Sequence, residues 1–153
     1  MSPDFKTRTG CSNYVETVVL PQVVRTISQT RKLPPLGIVF ATLINGVAQD
    51  PVATPVNTPP RGGREIRRMM QRVVGSTCAI GSIYVRQDEF VTQGGEDIDA
   101  VVVQLEHKTF GDLVWTASVR KGGSLGPWVG PVDLNKSPVR VSALRFLANR
   151  WMS

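Results

Sequence analysis

The sequence has a single histidine, His107, and two cysteines, Cys11 and Cys78, far apart in the chain. That scarcity excludes a structural zinc site, which takes its ligands from closely spaced Cys and His residues. It also leaves little for acid–base chemistry. His107 sits in "EHKTFGD" at a turn, where it reads either as a solvated side chain or as a general base. A base needs a partner held beside it, and only folding could bring Ser118, Ser124 or Cys78 close enough. Long apolar runs are missing too: none approaches the roughly 20 residues needed to span a bilayer. The opening stretch, "MSPDFKTRTGCSNY", has no apolar core of the export-signal kind. The expectation is a chain that stays where it is made, cytoplasmic or carried in a particle such as a virion, with its thiols reduced. "RGGR" lacks the lysine and hydroxyl residue of a phosphate-binding Walker loop. "GGEDID" groups Glu96, Asp97 and Asp99 without the alternating ligands and final glutamate of a calcium loop, and reads as surface charge at a strand entrance. No cofactor and no metal are expected.

What the chain does have is enough apolar material for one core. Its 153 residues are 41% hydrophobic and 20% charged, which places it among globular domains and away from disordered ones. We expect one domain over residues 1–153. Its special segments are an N-terminal piece 1–12, a proline-rich extended arm 51–60 and a long Gly/Pro loop 121–137. The net charge is +6, and lysine supplies only five of the eighteen cations. An arginine-rich surface favours phosphate and carboxylate partners, because a planar guanidinium grips them with two bonds.

Residues 13–32 read as a helix, with Asn13 and Glu16 in a capping-box pattern and an apolar stripe through Val15, Val18, Val19, Val23, Val24 and Ile27. Pro21 demands either a kink or a fresh start there, with "VETVVL" extended before it. "LGIVFATLI" is a buried strand, and Asn45-Gly46 a two-residue hairpin turn. The return strand should be brief, since Pro51 cannot donate to a ladder. Residues 64–74 form the plainest helix, with Ile66, Met69, Met70, Val73 and Val74 on one face and Gly75 as its stop. Strands follow at 79–91, 98–106 and 112–120, the last with Leu113, Trp115, Ala117 and Val119 inward. Short glycine-bearing links make these an antiparallel meander. Ser137-Pro138 opens a final helix whose apolar face is Leu144, Leu147, Ala148 and Trp151. The fold class expected is α+β: an antiparallel sheet, built from an N-terminal hairpin and a three-stranded meander, with about three helices packed on one face.

The candidate contact surfaces are two. Arg64, Arg68 and Arg72 form a stripe opposite the apolar face of their helix, and Arg61 extends it. Like charges four residues apart cost a little unless an anion answers them. The stripe is therefore either an ordinary solvated face or a contact for nucleic acid or an acidic partner. Nothing in it would read base sequence. Pro55, Pro59 and Pro60 belong to the stiff arm, which is either a linker or a strap laid on a neighbouring subunit. Trp128, in "GPWVGP", is either a partner-binding hot spot or a plug over the sheet edge. Tyr84 and Arg86 share a strand face with Phe90 beyond them, a thin version of a stacking platform for single strands and equally a piece of core.

The segment "VVVQLEHKTFGDLVWTASVRKGG", residues 101–123, resembles the strand–turn–strand ending in tryptophan of bacterial envelope lipoproteins of the curli-secretion type. The lipidated cysteine and export signal of that family have no counterpart here, and no site residue is carried over. The reading that remains is a non-enzymatic assembly subunit with protein partners, possible non-specific nucleic-acid contact and no membrane span. The alternative is a free-standing nucleic-acid-binding protein working through the arginine helix.

Overall fold

Thr7 starts the first helix. Its hydroxyl accepts the backbone N–H of Gly10, and α1 runs from Arg8 to Tyr14. The helix then widens over Val15–Val19, where the Leu20 N–H reaches back five residues to the Val15 carbonyl, and continues as α2 over Leu20–Thr30. Pro21 explains the widening. Proline has no N–H for the normal four-residue bond, and its ring crowds the carbonyl one turn earlier. A π-helical turn before it relieves both problems without breaking the rod. The computed structural model describes residues 4–30, 33–56, 63–91, 97–120 and 122–133.

After this rod come β1 (Leu36–Ile44), β2 (Val47–Val56), α3 (Gly63–Thr77), β3 (Gly81–Val91), β4 (Asp97–His107), β5 (Gly111–Ser118) and β6 (Val129–Asp133). The strands form one six-stranded sheet in the order β2-β1-β3-β4-β5-β6, antiparallel at every junction. Asn45 and Gly46 make the β1–β2 turn with φ of 52° and 78°, the left-handed pair such a turn needs.

The expected layout of about three helices on one face is overturned. Among the described residues there are two helical rods, they lie on opposite faces, and most of the domain is sheet. On one face Cys11, Val15, Val19, Val23 and Ile27 pack against Ile38, Phe40, Ile83, Val103, Leu105 and Trp115. On the other, Met69, Met70, Val73 and Val74 of α3 cover Val39, Val56, Tyr84, Val102 and Val114. Strand residues alternate between the two cores, so Ile38 and Phe40 point one way and Val39 the other. Burial on both faces is also why β1 reads as a nearly continuous apolar run and β4 carries Ala100–Val103 without alternation. The final helix expected after Ser137 lies outside the described residues.

Three local expectations change with this. Residues 51–56 are the outer half of β2, a full ten-residue strand. The register shifts between Ala41, opposite Val52, and Leu43, opposite Ala48, so Gln49, Asp50 and Pro51 bulge out opposite Thr42. Pro51 falls in that bulge. Pro55 faces Ile38 on the sheet's outermost strand, where only alternate amides serve the ladder. The long loop expected over 121–137 is shorter, because Val129–Asp133 pairs with β5 as a sixth strand. The helix stop is Cys78 rather than Gly75: Cys78 takes φ 49° and the Ala79 N–H bonds the Val74 carbonyl at 3.1 Å, closing a Schellman motif.

Candidate functional site

α3 spends its apolar side on the sheet and turns Arg68 and Arg72 outward, one helical turn apart and both exposed. The ion pairs of the described residues are Lys6–Asp50 and Arg8–Asp133, so no described carboxylate answers this pair. Arg61, Pro59, Pro60 and the Arg64 side chain lie outside the described residues. Pro55 is exposed on β2. Trp128 is half-buried and packs against the core, as do Val119 and Leu125, so it closes the end of the sheet more than it projects from it. Tyr84 and Arg86 are buried, with the guanidinium carbon 5.8 Å from the ring centre. An open stacking platform requires free ring faces, and this pair belongs to the second core.

His107 is buried rather than solvated. Its Nε2 donates to the Phe5 carbonyl at 2.8 Å, and its Nδ1 accepts the Thr109 N–H at 3.1 Å. The ring also stacks on Phe110, centroids 4.1 Å apart. Both nitrogens are thus held by backbone, and the imidazole ties the N-terminal segment to the β4–β5 turn. Cys11 shares the same anchor, its thiol donating to the Phe5 carbonyl at 3.3 Å. Burial first, and the charge of Asp4 second, push that thiol up to about 12. Cys78 is exposed at the end of α3.

Sequence reasoning missed three arrangements. Glu16 Oε1 accepts the indole N–H of Trp115 at 3.3 Å, joining the widened helical turn to the centre of β5. Gln104 is buried and donates to Glu106 Oε1 at 3.1 Å and to Asp112 Oδ2 at 3.5 Å. Burial raises the Asp112 carboxyl, the Gln104 hydrogen bond lowers it, and Asp133 raises it further. The third is a cleft of about 360 Å³ lined by Lys6, Thr42, Asp50, Ile80, His107 and Lys108, among others. It gathers four stretches far apart in sequence, and no local pattern announces it.

Compared with known proteins, the chain matches no family model, no curated sequence and no solved structure. The segment 101–123 therefore carries no family assignment. Among the described residues, no helix is long and apolar enough to cross a membrane.

Proposed function

We propose that this protein is a non-enzymatic assembly subunit that works by docking against copies of itself or other chains, in a larger complex such as a virus or phage particle. The observation that carries this reading is the placement of its exposed valines. Val47 and Val52 lie on β2 and Val129 on β6, the two outermost strands, while Val18 and Val24 lie on the outer side of the N-terminal helix. Outermost strands also leave backbone groups free to pair. Pro51, Pro55 and Pro131 withhold amide donors there, which disfavours a continuous shared sheet and favours side-chain docking across the edges. Arg68 and Arg72 offer a separate surface for an acidic neighbour or for packaged nucleic acid. Sedimentation of the full chain over a range of concentrations tests the reading. Self-association that Val52→Lys or Val129→Lys weakens supports it in its self-docking form. A monomer at every concentration, which also fails to enter any complex when tagged and purified from its source, sinks it.

One observation favours a second reading, a free-standing nucleic-acid-binding protein: two exposed arginines one turn apart with no described ion-pair partner. Filter binding to duplex and single-stranded DNA separates the two. If α3 is the binding surface, the double variant Arg68→Glu, Arg72→Glu loses affinity and flattens the salt dependence. Unchanged affinity and slope remove it.

A further inference from the structure

We propose that the cleft at the β1–β2 bulge binds a small phosphomonoester, a dianionic phosphate on a short carbon stem, between Lys6 and Lys108. Its volume of about 360 Å³ falls within the range of small-molecule sites. The bulge creates it. By looping Gln49, Asp50 and Pro51 out opposite Thr42, it opens the end of the sheet beside the β4–β5 turn. Bulges commonly serve to re-aim side chains in this way.

The charges around the cleft are two ammonium groups, Lys6 and Lys108, and one carboxylate, Asp50. His107 turns both ring nitrogens to backbone, Nε2 to the Phe5 carbonyl and Nδ1 to the Thr109 N–H. Lys6 meets Asp50 at 3.4 Å, with side chains 63% and 95% exposed. A pair that open to water is weakly held and screened by salt. Lys108 is in no described ion pair. A phosphate dianion would thus give Lys6 a more highly charged partner than Asp50 and give Lys108 its first. Gln49 and Thr109 stand at the cleft as neutral donors, and Ile80 and Pro51 offer apolar surface to the stem. This site is separate from the arginine helix and borders Val52, next to Pro51 on β2.

The test is a titration of the full chain with inorganic phosphate and with glycerol 3-phosphate, at ionic strength held constant with chloride, followed by amide NMR shifts. The expected result is saturable shifts at Lys6, Asp50, Lys108 and Thr109, with glycerol 3-phosphate binding more tightly than phosphate. Lys6→Ala and Lys108→Ala should each weaken it several-fold. Asp50→Asn should tighten it, since the competing carboxylate is gone. Shifts that never saturate, shifts that centre on Arg68 and Arg72, or an Asp50→Asn variant that binds more weakly would each overturn the site.

Discussion

The imidazole of His107 reaches across 102 residues of sequence to the Phe5 carbonyl and bonds it at 2.8 Å. Phe5 in turn stacks on Phe40 of β1 with centroids 4.5 Å apart and meets Tyr14 edge-on at 5.0 Å. The first turn of the chain is therefore a structural part of the sheet's end. His107→Ala should cost about 2–4 kcal/mol, since it leaves a buried carbonyl with one donor fewer and empties the space on Phe110. Urea denaturation checks this. A loss comparable to that of a surface substitution would mean the anchor is dispensable.

The two thiols should behave as opposites. Cys78 is exposed and Cys11 buried, with its proton held up to about 12. Only the thiolate reacts with disulfide reagents. The native protein should release one equivalent of chromophore from an aromatic disulfide, and two only after denaturation. Cys78→Ser should abolish the native signal. Rapid labelling of Cys11 in the folded state would show that the N-terminal segment opens readily.

α3 carries two residues that its geometry does not want. Gly75 lies inside the helix, and a Cβ there meets nothing within 4 Å. Gly75→Ala should stabilise the protein by about 1 kcal/mol. Cys78 holds φ 49°, a left-handed conformation that costs a side-chain-bearing residue about 1 kcal/mol relative to glycine. Cys78→Gly should recover most of that. Thermal unfolding of the two single variants tests both.

Asp112 makes stability depend on pH in an unusual direction. Its native carboxyl titrates above the ordinary value of 3.8, chiefly because burial penalises its charge. In the window from that value up to the raised native one, the folded state binds more proton than the unfolded state. The protonated carboxyl's contribution to stability is therefore fully present below the window and is lost as pH rises through it. Asp112→Asn, which keeps an oxygen for the Gln104 amide, should be more stable than the parent above the window and equal to it below. A difference constant with pH would rule out the carboxyl as its source.

The hairpin turn and the inner face of α3 were legible because each rests on local chemistry: positive φ at Asn45-Gly46, and Met69, Met70, Val73 and Val74 on one side of a helix. The two-sided burial of the sheet was written in residues 100–105, six buried positions in a row with no alternation, but the short links of an antiparallel meander favoured a one-sided reading. β2 was undervalued because prolines forbid a strand only when both of its edges must pair. The His107 anchor and the lysine cleft had no local signal. Their parts lie 102 residues apart in the case of Phe5 and His107, and meet only when the N-terminal segment packs on the sheet.

The widened turn at Val15–Val19 sets the phase of the N-terminal rod. Five of its six buried residues, Cys11, Val15, Val19, Val23 and Ile27, recur every four positions. In a pure α-helix such a series creeps around the axis by about 40° per step, so a straight groove in the sheet would lose contact with one end. The π turn takes up part of that creep and keeps the row aimed at the strands. Removing Thr17 alone would restore an ordinary helix and rotate Val23 and Ile27 by about 100°, carrying half the row out toward water.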